Sequence, residues 1–201
     1  MLISASQVLF AEEWNQQESF ETGDFSAFPW VQGGNADWSI DSEPSEGTYS
    51  ARSGEINHNQ TSSISTSINI GSLPGSIKFS FKTATEDIYD SLIFFQDGNL
   101  IASWVGNNEW QDTTFIVNTG NHTFKWEYAK YVDPNNCSGG EMSDCSGDGD
   151  CCLSNWMGDG LCDGTDQQWE CDLICYENDG GDCSSDSSEI DAVWIDNIIF
   201  T

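Results

Sequence analysis

Positive charge is what this chain has least of. Five Lys and Arg stand against 34 Asp and Glu in 201 residues, a formal net charge of −29. Nucleic acid and anionic membrane both need a positive surface, so neither is expected as a partner. The same imbalance favours calcium-rich or saline surroundings, where cations screen the repulsion between carboxylates. Histidine is scarce as well, with only His58 and His122. No window is long and apolar enough to cross a bilayer as a helix, so membrane insertion is not expected. Catalytic signatures are missing: there is no G-x-S-x-G, no H-E-x-x-H and no phosphate-cradling glycine loop. Nothing among the 34 acids singles out one pair for glycoside hydrolysis. The chain reads as a protein that is not an enzyme.

Cysteine, by contrast, is plentiful and clustered. Cys137, Cys145, Cys151, Cys152, Cys162, Cys171, Cys175 and Cys183 all fall in one segment. An even number at such density predicts a disulfide framework made in an oxidising compartment, hence a secreted or cell-surface protein. Zinc is the competing reading, but the spacings are not finger-like and ligand histidines are lacking. The stretch from Cys152 to Cys183 is also dense in Asp and punctuated by Gly. Carboxylates crowded into a crosslinked loop repel one another unless a cation sits among them. Calcium, which takes roughly six to eight oxygen ligands, suits them.

Elsewhere the pattern is strand and turn. Residues 76–83 alternate, with Ile77, Phe79 and Phe81 on one face and Lys78, Ser80 and Lys82 on the other. Residues 90–96 are apolar on both faces, which predicts the interior of a sheet. Asp97-Gly98 predicts a hairpin turn into a strand over 100–105. Further strands are expected over 113–117, over 123–128 with Phe124, Trp126 and Tyr128 on one face, and over 192–200, with a turn at Gly120-Asn121. Many short strands and a supply of 11 Phe, nine Trp and five Tyr for the core predict an all-β, two-sheet antiparallel sandwich of the jelly-roll kind.

Residues 1–14 also read as a strand, joined to the body by an acidic, polar link over 12–17. The first ten residues resemble a signal sequence but have no basic start and only a short, interrupted apolar run. Either the chain begins inside a longer precursor or, as expected, the segment belongs to the mature structure. Two fates are open to it: folding back on its own domain, or adding to the sheet of a neighbouring copy. The second would build head-to-tail filaments.

Two sets of motifs carry family resemblances. Trp156-Met-Gly-Asp-Gly-Leu-Cys162-Asp163, the pair Cys171 and Cys175, and Asp179-Gly-Gly-Asp-Cys183 resemble a Lin-12/Notch repeat. Such repeats hold one structural calcium and three nested disulfides. The resemblance implies Asp159, Asp179 and Asp182 as ligands, with Asp163 beside them. It also implies a Cys162 to Cys183 bridge, with Cys171 and Cys175 reaching back to Cys145, Cys151 and Cys152. The adjacent Cys151-Cys152 leaves the first two partners open, and the gap from Cys162 to Cys171 is longer than usual.

The second set runs in order through the body: Glu18-Ser-Phe-Glu-Thr-Gly-Asp-Phe25, Phe28-Pro-Trp30, Trp38-Ser-Ile40, Glu46 to Ser53, His122 to Trp126, and Val193 to Phe200. It resembles the MAM-like, cleaved-adhesin type of jelly roll found in bacterial surface and secreted proteins. Three parts follow: residues 1–14, a sandwich over 15–135 and 190–201, and a cysteine-rich insertion over 136–189. The resemblance further implies a second cation shared by Glu18 or Glu21 with Asp196. On spacing alone, Asp196 should share a face with Trp194 and Ile198, where an unpaired carboxylate is costly. A cation or a hydrogen-bonded turn would relieve that cost.

The expected role is structural or adhesive, with a second copy or a surface glycan or protein as partner. The alternative is a carbohydrate-binding module, with Trp104, Trp110 and Trp126 as a platform for sugar rings. N-x-S/T sequons stand at Asn59, Asn121 and Asn136.

Overall fold

The computed structural model describes residues 16–57, 60–85, 90–130, 137, 139–145, 150–164, 171–174, 176–183 and 191–201. The strand expected over 1–14, the sequon residues Asn59 and Asn136, and Cys175 lie outside them. In chain order the strands are β1 (Gln16–Glu18), β2 (Val31–Gly34), β3 (Ser39–Asp41), β4 (Ser50–Arg52), β5 (Thr61–Ile70), β6 (Gly75–Ala84) and β7 (Asp90–Gln96). They continue as β8 (Asn99–Val105), β9 (Asn108–Val117), β10 (Gly120–Lys130), β11 (Glu141–Ser143), β12 (Cys151–Leu153) and β13 (Ala192–Phe200). One helical turn, α1 (Glu177–Gly180), lies in the cysteine-rich part. No helix among the described residues is long and apolar enough to cross a membrane.

Two antiparallel sheets make the sandwich. One has the order β3-β4-β13-β6-β9, with β1 also paired to β13; the other has the order β2-β5-β10-β7-β8. The last strand is therefore central, and β4 and β1 follow one another along its one side. β11 and β12 form a separate ribbon.

Alternation in the sequence becomes the two faces of each strand. Ile77, Phe79 and Phe81 of β6 enter the core. Lys78 and Lys82 face outward and pair with Asp112 and Glu43. Phe79 from one sheet meets Phe94 and Trp126 from the other, with ring centroids 4.9 and 5.4 Å away, and Phe94 lies 5.2 Å from Trp126. Each such pair adds about 0.5–1.5 kcal/mol beyond its buried area, so this triangle fastens one sheet to the other.

β7 lies inside its sheet, as its two apolar faces predicted. At the hairpin after it, Asp97 and Gly98 have φ of 53° and 76°, the paired left-handed residues of a type I′ turn. Two boundaries differ from expectation. Gly120 and Asn121 do not form a turn but pair with Ile70 and Asn69, so β10 starts at Gly120 and the chain reverses over Asn118 and Thr119. Gln16 and Gln17, expected in a polar link, pair with Phe200 and Ile199; hydrogen bonding to a central strand orders them without any apolar pattern.

The same corner holds a charged clamp between hairpins. His122 Nδ1 lies 2.7 Å from Asp97 Oδ2, and its Nε2 lies 3.0 Å from the Asn118 carbonyl oxygen. The Thr123 N–H donates to Asp97 Oδ1 at 2.9 Å. The bond to Asp97 raises the His122 pKa against the opposing effect of burial, and the same bond holds Asp97 below its usual range. A raised imidazole pKa gives stability that is full below the unfolded value of about 6.5 and is lost as pH rises through the folded value. His122→Asn should therefore melt well below the wild type in mild acid, with the gap narrowing as pH climbs. A gap that widens with pH, or an NMR midpoint for His122 under about 6.5, contradicts the clamp.

Candidate functional site

Two groups of acids contain the residues expected to hold cations. The first lines the side of β13 between β4 and β1. Glu18, at the end of β1, is 2% exposed. Its oxygens accept from the Phe20 N–H at 2.8 Å and the Trp30 Nε1–H at 3.0 Å. Glu21 accepts from the N–H groups of Thr48 and Tyr49 at 2.7 and 3.0 Å, and these bonds lower its pKa. Gly47, at φ 84°, makes that approach feasible: a Cβ there would stand 2.5 Å from Glu21 Oε1. Asp196 is fully buried. Its Oδ2 accepts from Ser45 N–H and Oγ–H, both at 2.9 Å, and from Glu46 N–H at 3.3 Å, while Oδ1 accepts from Asn197 N–H at 2.7 Å. Burial raises the Asp196 pKa and these bonds oppose the rise.

Asn197 explains why simple alternation misplaced the neighbours of Asp196. It sits at φ 51°, and the register with β6 shifts between Asp196 and Ile199. This bulge turns every later side chain over. Trp194 shares the outer face with Asp196, under Arg52 and Lys82 and hydrogen-bonded to Asp41. Ile198 faces the core with Val193, Ile195 and Phe200. Glu18, Glu21 and Asp196 are thus each satisfied by nearby donors. Among the described residues, no three acidic, histidine or cysteine side chains form a group that could hold a metal ion.

The second group is in the cysteine-rich part. The described bridges are Cys137 to Cys151, Cys152 to Cys171 and Cys162 to Cys183. Cys145 is also disulfide-bonded. The fold thus resolves the adjacent Cys151 and Cys152 into two different bridges. Gly158 and Gly180 meet backbone to backbone, where a Cβ on Gly180 would come within 2.9 Å of Gly158. This contact sets the Trp156 to Asp163 loop against the Asp179 to Cys183 turn.

Across it, Asp179 Oδ2 accepts from the Asp163 N–H at 2.8 Å. Asp159 accepts from the Leu161 N–H at 2.9 Å, and Asp182 from the Gly160 N–H. Asp163 is 8% exposed, and its pKa is raised by burial and then by the charges of Asp179, Asp159 and Asp182. The charges of the other three acids reach Asp163, but as the described side chains stand no three of the four form a group that could hold a metal ion. Asp179 is fully buried, and its Oδ1 has no hydrogen-bond partner.

Two other acidic clusters escaped the sequence reading. Asp144 and Asp172 are both buried, and Asp144 Oδ2 accepts from the Asp172 N–H at 3.3 Å. The signal available was that each adjoins a cysteine. Asp90 is buried beside Tyr128 and Lys130, and Tyr128 and Lys130 also contact Asp191. Burial and the two carboxylates push the Tyr128 pKa up. Of the aromatics, Trp126 is wholly buried. Trp104 is half-buried, with its ring 4.2 Å from Phe81 and 6.0 Å from Phe79. Trp110 is half-buried on β9.

The fold is similar to the K1 cleaved adhesin domain of Lys-gingipain from Porphyromonas gingivalis W83, with a TM-score of 0.52 and 8% identity over 94% of this chain and 98% of that one. For the K3 cleaved adhesin domain of the same protein the values are 0.50 and 10%, over 92% and 97%. A carbohydrate-binding module solved with β-1,4-galactotriose gives 0.42 and 18%, over 55% and 82%. No family model matches the chain, and no curated protein matches it in sequence. The adhesin domains show the shared jelly-roll sandwich.

The Asp196 bonds give a direct test. Asp196→Ala strands the N–H groups of Ser45, Glu46 and Asn197, which lie partly buried around the carboxylate. The urea midpoint should fall clearly, and more than for Asp196→Asn, which keeps an acceptor. Equal midpoints for Ala and wild type would show that these bonds hold nothing.

Proposed function

We propose that the chain is an extracellular, non-catalytic binding module: an adhesive β-sandwich whose cysteine-rich insertion is held by disulfides and one calcium ion. Support for the binding role comes from end-to-end correspondence with domains described as cleaved adhesins. The disulfides support an oxidising, extracellular setting. Its partner is a surface glycan or protein.

One observation carries the calcium: a fully buried carboxylate, Asp179, with an oxygen that no donor meets. A buried carboxylate with one oxygen unmet is unfavourable, and the charges of Asp179, Asp159 and Asp182 all act on neighbouring Asp163. Asp159, Asp163, Asp179 and Asp182, the acids implied by the likeness to a Lin-12/Notch repeat, would have to close around the ion, since as they stand no three of them form a group that could hold it. Backbone carbonyls and water would complete its shell. The ion would supply the positive charge that lets these carboxylates stay ionised together.

The finer reading, self-assembly by strand donation from residues 1–14, needs an open edge. β8 offers one: among the described residues it pairs only with β7, and Leu100, Ile101 and Val105 are exposed along it. A chain without residues 1–14 that sediments as the full chain does would refute donation.

At free calcium about a hundredfold above its Kd, binding adds roughly 2.7 kcal/mol of stability, so EDTA should lower the wild-type melting temperature. Asp179→Asn keeps the acceptor for Asp163 N–H but loses the charge. It should melt at the lower temperature with or without EDTA. A wild type indifferent to EDTA contradicts the site. For the binding role, labelled protein is applied to an array of glycans and matrix proteins, and soluble polysaccharides are assayed for new reducing ends. Retention without turnover supports the reading; turnover, or no retention on any surface, overturns it.

A further inference from the structure

A cleft of about 550 Å³ lies where β1, the turn before β2 and the end of β5 come together. Gln16, Gln17, Phe28, Pro29, Ser67 and Asn69 are among its walls, and none of its lining residues is charged. In a chain with 34 acids among 201 residues, an uncharged cleft lined by amides and a hydroxyl narrows the ligand. An anion gains nothing from a protein of net charge −29, and no lining carboxylate draws in a cation.

The walls are fixed by contacts on the far side. Phe28 packs against Trp30 and Phe200, at 6.2 and 6.1 Å between centroids, so its ring is a set surface. Gln17 Nε2 donates to Asn197 Oδ1 at 2.7 Å. Asn69 Nδ2 donates to Asn121 Oδ1 at 2.6 Å, and the Ser67 and Thr123 hydroxyls share a bond at 2.9 Å. These pairs orient the amides and leave the Asn69 carbonyl oxygen and a second amide hydrogen for a ligand. β2 covers β5 only from Ser62 to Ser65. Beyond that, among the described residues, no strand pairs with this edge of β5.

We propose that this cleft binds a short stretch of a neutral sugar chain. Planar amides and hydroxyls match adjacent sugar hydroxyls in both donor and acceptor roles. The Phe28 ring and Pro29 give the apolar surface that the C–H face of a pyranose covers. The volume falls in the range of small-ligand sites, roughly 300–1,000 Å³. A peptide strand on the same β5 edge would want apolar pockets for alternate side chains, and four of the eight lining residues here are polar. The inference rests on the binding-module reading and gives it a site and a ligand class.

The test uses the full chain, disulfides intact and with calcium present, and follows side-chain amide NMR signals during titration. The probes are cellotriose, xylotriose and maltotriose, with trigalacturonate as the anionic control, each to on the order of 10 mM. At least one neutral trisaccharide should give saturable shifts in the amides of Gln16, Gln17 and Asn69, and trigalacturonate should give none. Gln16→Ala with Asn69→Ala, both on the surface, should weaken that binding about tenfold or more, as expected for losing hydrogen bonds worth about 1 kcal/mol each, with an unchanged melt. No saturable shift with any neutral probe overturns the proposal, as does binding that the double variant leaves intact. Shifts centred on Trp110 would also overturn the cleft while leaving the binding-module reading standing. That reading fails separately, by loss of all retention on the array.

Discussion

Charge pairing can hold only a few of this protein's carboxylates, because 34 acids face five bases. Main-chain N–H groups meet several of the rest. Asp196 takes amides from residues 45, 46 and 197, Glu21 from 48 and 49, Glu18 from 20, and Asp97 from 123. Hydrogen bonds to a charged acceptor are among the stronger ones where they are buried, as at Asp196. Most of these bonds join segments far apart in sequence. The loop over 45–49 is tied at one end to the last strand and at the other to the first turn. Carboxylates that would otherwise repel thereby become the pins of the loops.

The strands themselves depend on the aromatic slab between the sheets. Phe79, Phe94 and Trp126 fix the distance between layers, and β13, buried along its length, is the strip on which β1, β4 and β6 assemble. Asn197 interrupts that strip. Its left-handed turn lifts the strand where Asp196 needs donors, and the side of β13 between β4 and β1 is where the 45–46 loop supplies them. In the cysteine-rich part the supply of amides stops one oxygen short, at Asp179 Oδ1. That shortfall is why a cation is proposed there and not beside Asp196.

Much of the sandwich was legible in advance, because period-two alternation states directly which side chains face inward. β6 and β10 obey it, and the Asp97-Gly98 turn follows from the left-handed freedom of those residue types. A bulge leaves no such trace: one residue, Asn197, reversed the faces of Ile198 and Phe200 while the string of apolar letters stayed regular. Gln16 and Gln17 were hidden for the opposite reason, since a short strand held by its main chain needs no apolar residue. Residue type likewise announced that Trp104 was aromatic but not that Phe81 would cover it. In the cysteine-rich part, the likeness to a Lin-12/Notch repeat pointed to Asp159, Asp163, Asp179 and Asp182, and the charges of the other three act on Asp163. Asp144 and Asp172 belong to no motif, so only the fold could bring them together.

The contrast between carboxylates satisfied by amides and Asp179, with one oxygen that no donor meets, is the central claim, and seeing the atoms tests it most directly. Crystals grown in millimolar calcium would be measured at a wavelength where calcium scatters anomalously. The account predicts an anomalous peak bonded to Asp179 Oδ1, about 2.3–2.6 Å away, with further oxygens from Asp159, Asp163 or Asp182. A map with no peak there, and Asp179 Oδ1 bound instead to an N–H group or to a water, would contradict it.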